Sequence, residues 1–294
     1  MCDDLPPRPA LPTQLACRAD TVDGEVAPLM AVRAVHPGIV QNRLLAAMTP
    51  EAFDLLRPHL ELVPRKARDV LQDSSRTTEA AYFIESGIVS RVVRSQGGSV
   101  ETAIVGRMGF VGISIAIGTT ISAGRSVVQI PGYALKIPAK ELSGIIQEQP
   151  QIRELLLRYV QSLMRQKSQS VLCGVRHDLE QRLARWLLLA FDRLEDGSLP
   201  ITHDLLAELL GVRRAGVTVA LASFEAEGLI TRRRGNLTIE NRAGLEQRSC
   251  ECYRAINGGY SWLMLGQSYQ HKLPELVMRS GDTSSGQPPL RVPR

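Results

Sequence analysis

The chain has 294 residues, 44% of them hydrophobic, with 35 Lys and Arg against 30 Asp and Glu, a formal charge of +5. That length admits two compact domains with separate cores plus tails, and the apolar fraction excludes a wholly disordered chain. A membrane span needs roughly 18 uninterrupted apolar residues; the closest run, Gly109 to Ile117, is too short.

Residues 1–40 are rich in Pro, Ala and Asp without a sustained period and read as a disordered leader. The acidic start Met1-Cys2-Asp3-Asp4 and prolines 6, 7, 9 and 12 do not suit an export signal, so a cytoplasmic location is expected. Asn42 then suits a helix cap, and Thr49-Pro50-Glu51 a second cap with proline at the first helical position.

Between about Leu62 and Pro138 the texture becomes β. Tyr82-Phe83-Ile84, Ile88 to Val93, Val100 to Val105, Ser126 to Ile130 and Ala134 to Ile137 are separated by Gly-, Ser- and Pro-bearing turns, which predicts a small barrel or sandwich. From Lys140 the pattern is helical. Ile152, Leu156, Tyr159 and Leu163, spaced 4, 3 and 4, form a heptad-like seam. This seam suits either packing on the chain's own barrel or pairing with a twin helix. Gly174 is expected to interrupt the helix, with Cys173-Gly174 as the hinge and Asp178 capping the next helix, Leu179 to Phe191.

The strongest local signal runs from Ile201 to Leu221. Thr202 is a suitable N-cap; Leu205, Leu206, Leu209 and Leu210 make an apolar face, and Gly211 can take the positive φ of a tight turn. Val217, Leu221 and Phe224 give the second helix its inward face. Two helices joined this way make a helix-turn-helix, whose second helix enters the major groove of DNA. Arg213 and Arg214 fall at that helix's N-terminal end, where an arginine can pair bidentately with guanine. Ala215 and Thr218 share the outward face, with Thr218 placed to meet a base edge or a phosphate. After Glu227-Gly228-Leu229-Ile230, Gly235-Asn236 reads as a hairpin turn, a wing on which Arg232, Arg233 and Arg234 would meet phosphates. Charge is focused there: residues 211–234 hold five arginines and two glutamates, whereas 175–248 balance eleven basic against eleven acidic residues. Tyr253 to Leu265 suits one more amphipathic helix, and the Ser, Gly and Pro beyond Pro274 suit disorder.

Catalytic residues are not expected. No nucleophile elbow, phosphate-cradling loop or paired carboxylates stand in a plausible context, and His177-Asp178 and His203-Asp204 read as helix starts. Five scattered cysteines (2, 17, 173, 250, 252) do not make a disulfide framework. Cys250-Glu251-Cys252 is too closely spaced for a usual zinc knuckle and lacks two partners at ligand spacing, so no metal is expected.

The span from about Asn42 to Arg248 resembles the CRP/FNR superfamily of bacterial regulators. Leu209-Leu210-Gly211-Val212-Arg213-Arg214, Val217-Thr218 and Glu227-Gly228-Leu229-Ile230 carry the resemblance. Tyr82 to Val89 and Gly106-Arg107-Met108-Gly109-Phe110-Val111-Gly112 support it more loosely. It implies an α+β chain: a cyclic-nucleotide-binding-like β-roll of eight strands over 41–148, a dimerisation helix over 149–173, a winged helix-turn-helix over 174–248 and an extension over 249–294. It also implies a homodimer through 149–173 that binds double-stranded DNA and acts through RNA polymerase. Cyclic-AMP-binding members carry glutamate after the last glycine of the roll motif, where this chain has Ile113; Arg125-Ser126 is the nearest match to their phosphate-holding pair. Cyclic nucleotide is therefore not expected, since an apolar residue leaves the sugar hydroxyl unpaired, at about 1–3 kcal/mol. Cys2 and Cys17 are too few for the N-terminal iron–sulfur cluster of other members, so no cofactor is predicted, although a haem through His36 or His59 stays open. Ala215 and Val219 replace the glutamate and second arginine of well-known reading helices, so a different target sequence is expected. The alternative is a dimeric ligand or redox sensor whose output is protein contact; steep salt dependence of DNA binding would separate the two.

Overall fold

The computed structural model describes residues 40–96, 98–194 and 197–264, with backbone alone for 261–264. The leader, apart from Val40, and the end of the extension lie outside the described residues.

Asn42 caps α1 (Arg43–Ala46) with its side-chain oxygen and donates from its amide to the carbonyls of Ile84 and Gly109 at 2.9 and 2.8 Å. One residue thus starts the helix and fastens it to the roll. Thr49 caps α2 (Pro50–Leu56), with Pro50 in the first turn as expected. The roll consists of β1 (Glu61–Arg65), β2 (Val70–Gln72), β3 (Ala80–Ile84), β4 (Ile88–Ser95), β5 (Gly98–Val105), β6 (Phe110–Val111), β7 (Arg125–Ile130) and β8 (Gly132–Pro138). They pair antiparallel in two sheets, ordered β1-β8-β3-β6 and β2-β7-β4-β5. The five strands read from Val- and Ile-rich runs are all present. Of the other three, β1 is mostly outward-facing and contains Pro64, while β2 and β6 have only three and two residues.

Two short helices, α3 (Ile113–Ala116) and α4 (Ala139–Glu148), lead to the long α5 (Pro150–Arg176). Phe83 and Phe110 stack at 5.3 Å, and Phe110 meets Tyr159 of α5 at 5.1 Å, so sheet and helix share one core. Gly109 permits that approach; a Cβ there would lie 2.3 Å from the Tyr159 hydroxyl.

One expectation for α5 needs correction. Gly174 does not interrupt it, because the helix continues to Arg176. A single glycine costs about 1 kcal/mol relative to alanine, too little to stop a helix bonded on both sides. The hinge is His177-Asp178, where Asp178 forms a capping box with Gln181 to start α6 (Leu179–Phe191). Of the two readings of the heptad-like seam, packing within the chain is the one observed: Ile152, Leu156, Tyr159 and Leu163 are all buried. That face packs on the chain itself; a different row of α5 faces out. Leu157, Gln161, Met164, Ser168, Val171 and Val175 are exposed, spaced 4, 3, 4, 3 and 4, with Met164 62% and Val175 79% accessible.

Beyond α6 come β9 (Leu199–Pro200), α7 (His203–Leu210), α8 (Arg214–Ala226), the hairpin β10 (Ile230–Arg233) and β11 (Asn236–Ile239), α9 (Arg242–Arg248) and α10 (Cys252–Met264). α10 matches the helix expected from Tyr253 onward. β10, β11 and β9 form a small antiparallel sheet. One continuous buried apolar cluster runs from Leu44 to Tyr260. Cys173, Cys250 and Cys252 make a second, distinct buried cluster. No described helix is long and apolar enough to cross a membrane.

Candidate DNA-reading surface

The helix pair is built as its residues dictate. Thr202 accepts from the Leu205 N–H at 3.2 Å and starts α7; Gly211 ends it in the left-handed region, φ 64° and ψ 43°. Leu206, Leu209 and Leu210 of α7 and Val217, Leu221 and Phe224 of α8 are buried. Burying one face of α8 presents the other. Arg213, Arg214, Ala215 and Thr218 are exposed at its N-terminal end, and Val219 is 68% accessible. Val219 is a candidate contact that charge-based reading passes over, since an apolar side chain suits a thymine methyl.

The arginines differ in how free they are. Arg213 occupies the cap position of α8, and its side chain makes no capping bond. Arg214 pairs with Asp204 of α7 at 3.1 Å, with both side chains well exposed. Exposed pairs of this kind contribute about 0–1 kcal/mol, so DNA can displace the carboxylate cheaply.

The wing turn sits one residue earlier than expected. Arg234 and Gly235 are the two turn residues, at φ 49° and 83°, and Asn236 already pairs with Arg233. Positive φ at both central positions matches the twist of a two-residue hairpin. Arg233 and Arg234 are exposed at its tip, whereas Arg232 is half-buried and turned toward the helices. It forms an ion pair with Glu225 of α8 and donates to His203 Nε2 at 2.7 Å. Around these groups lies an open cleft of about 650 Å³ between wing and helices, which Arg214 also lines.

His203, read from sequence as part of a helix start, links this group. Because Nε2 accepts from Arg232, the network assigns the proton to Nδ1, which donates to the Thr218 hydroxyl at 2.9 Å. Thr218 donates on to the Arg214 carbonyl at 3.1 Å. Partial burial, followed by the nearby Arg232 and Arg214 charges, lowers the His203 pKa below 6.5. The unfolded chain therefore binds the proton more readily. The stability that His203 contributes is present above about pH 6.5 and is lost as pH falls through the lower folded value. An NMR titration should place the His203 midpoint below that of a free histidine; a midpoint at or above 6.5 would contradict this network.

The roll touches this surface directly. Ser99 Oγ donates to Glu208 of α7 at 2.5 Å, and a Cβ on Gly211 would lie 2.9 Å from Val100. The indole of Trp186 on α6 donates to Glu101 at 2.7 Å, and burial raises the Glu101 pKa. The β4–β5 hairpin is thus seated on the turn of the helix pair. Inside the roll, Arg125 pairs with Asp73 at 3.7 Å, while Ser126 bonds the buried Arg91 at 3.2 Å. The sequence neighbours Arg125 and Ser126 thus contact different partners. Ile113, which follows Gly112, begins α3.

Residues 181–248 match the model of the Crp-like helix-turn-helix domain. The "CRP-like cAMP-activated global transcriptional regulator" of Mycobacterium tuberculosis is 30% identical over 123 residues, 40% of this chain and 55% of that protein. The chain thus spans about half the length of the curated relatives it matches. The fold is that of a Crp/Fnr-family transcriptional regulator from Eubacterium rectale, with a TM-score of 0.54 at 20% identity over 71% of this chain and 98% of the other. FixK2 from Bradyrhizobium japonicum gives 0.55 at 15% identity, over 65% of this chain and 98% of its own. Residues 181–248 thus carry a Crp-like helix-turn-helix domain, and the chain as a whole is similar in fold to CRP/FNR regulators. Its β-roll, long helix and helix-turn-helix stand in the expected order. Its exposed seam and the His203 network were not legible at the outset.

Proposed function

We propose that this chain is a cytoplasmic, non-enzymatic transcription regulator that binds a two-fold symmetric DNA site as a homodimer. One observation carries the reading: the N-terminal end of α8 presents Arg213, Arg214, Ala215, Thr218 and Val219 to solvent while its other face is buried. In this arrangement α8 reads base edges in the major groove, with Arg213 and Arg214 directed to guanines. Arg233, Arg234 and Thr202 contact phosphates, and Arg232 joins them when DNA draws it from Glu225. The exposed row from Leu157 to Val175 meets its twin, and RNA polymerase is the downstream partner.

We further propose that the roll does not answer to cyclic AMP in the manner named for the M. tuberculosis relative. Ile113 offers no acceptor for a ribose hydroxyl, and Arg125 is engaged by Asp73.

Selection of genomic fragments by purified protein tests the main reading and supplies the operator. A two-fold symmetric motif is expected. Its affinity should fall with salt at a log–log slope of about −0.9 per phosphate contacted. Salt-independent binding, or no enrichment at low salt with and without cell extract, would instead favour a sensor whose output is protein contact.

A further inference from the structure

Two segments far apart in sequence converge where the long helix ends. Cys173 lies in the last turn of α5, and His177 is its C-cap. Cys252 is the first residue of α10, and Cys250 stands two residues before it. The Cys173 and Cys250 sulfurs are 3.5 Å apart, and Cys252 Sγ is 3.7 Å from His177 Nδ1. The four donor atoms all lie within 4.8 Å of one another. The three cysteines are free and buried, apart from the main core, and the His177 side chain is 11% accessible.

From this geometry we infer a zinc site, with one ion held by Cys173, His177, Cys250 and Cys252. Three thiolates and an imidazole are a usual structural zinc set. Tetrahedral coordination at about 2.3 Å from sulfur sets neighbouring donors roughly 3.8 Å apart. The sulfur–sulfur and sulfur–nitrogen contacts, 3.5 and 3.7 Å, are close to that edge length. Four donors within 4.8 Å are too tight for a multi-iron cluster, whose ligands are spread over more than one iron, and the 3.5 Å sulfur separation is no disulfide. A second feature points to a metal independently of the thiols. With Nδ1 toward the cysteines, His177 Nε2 lies 3.2 Å from Glu251, the carboxylate–histidine arrangement that orients metal-ligating imidazoles. Three thiolates and Zn²⁺ carry one net negative charge, and the N-terminus of α10 at Cys252 favours it. The ion would tie the end of α5 to the start of α10 across the His177-Asp178 hinge, fixing how the reading unit leaves the long helix.

The test uses the reduced full chain, made metal-free and then titrated with Zn²⁺ and, separately, Co²⁺. One zinc per chain is expected, together with thiolate-to-cobalt charge-transfer bands and intense visible bands of tetrahedral cobalt. A Cys2→Ser/Cys17→Ser variant should keep both signals, and Cys250→Ser/Cys252→Ser should lose them. Glu251→Gln should weaken zinc affinity by about 10–100-fold, the usual effect of removing such an orienting carboxylate. The inference fails if the folded, reduced chain gives no thiolate–cobalt band or binds no more zinc than Cys250→Ser/Cys252→Ser. It also fails if Cys2 and Cys17 account for the metal. Should the double serine variant not fold, the cobalt spectrum of the unaltered chain decides alone.

Discussion

Replacing Arg213 and Arg214 together by alanine is expected to abolish selection of the operator while leaving the protein folded. Both side chains are exposed, and neither does much to hold the helix pair: Arg213 makes no capping bond, and the exposed Arg214–Asp204 pair between α8 and α7 contributes about 0–1 kcal/mol. A bidentate arginine–guanine contact is worth about 1–3 kcal/mol. Two arginines in each of two half-sites give four such contacts. Even the low end then totals roughly 4 kcal/mol, on the order of a 10³-fold loss. Fluorescence anisotropy with the selected operator and a scrambled duplex would measure it. The specific complex should weaken far more than the nonspecific one. Arg233→Ala/Arg234→Ala should instead weaken both alike and flatten the salt slope, because phosphate contacts carry no sequence information. An unaltered preference in the Arg213→Ala/Arg214→Ala protein would place base reading elsewhere.

Leu157→Glu/Met164→Glu should leave a folded monomer that has lost its hold on a two-fold site. Both residues lie on the outward row of α5, Leu157 at 37% and Met164 at 62% accessible, so the chain's own core does not depend on them. In a dimer the row buries two leucines and two methionines. At about 1.5 kcal/mol each, the low end for such side chains, this is roughly 6 kcal/mol and about a 10⁴-fold rise in dimer Kd. Facing glutamates add repulsion. Sedimentation of the wild type should give a dimer at concentrations where the variant is monomeric, with unchanged circular dichroism. A variant that stays dimeric would move the interface off this row. Gln161 and Ser168 alternate with the apolar positions, and polar residues within such a seam fix register at a cost in stability.

What could be read from sequence was what depends on neighbours in the chain. The caps at Asn42, Thr49, Asp178 and Thr202, the left-handed Gly211 and the inward face of α8 are local consequences of residue type, and each formed. The α5 seam was less accessible because two apolar rows share the helix. Periodicity identifies a row but not what covers it, and the roll and α10 together cover the richer one. Arg232 looked equivalent to Arg233 and Arg234, yet strand alternation turns it toward Glu225 and His203. Cys250 and Cys252 seemed to lack partners because Cys173 and His177 stand more than seventy residues earlier and only the fold brings them near.

The seat of the β4–β5 hairpin on Gly211 bears on transplantation. With Val100 against the helix turn, Ser99 bonded to Glu208 and Glu101 to Trp186, the reading unit is not a detachable cartridge. A helix pair grafted from a relative would arrive without its matching hairpin. The chimera would then either clash at the turn or leave Glu101 buried with one donor fewer. If α8 reads bases as proposed, specificity is better exchanged by recoding its exposed outward residues alone than by swapping whole domains.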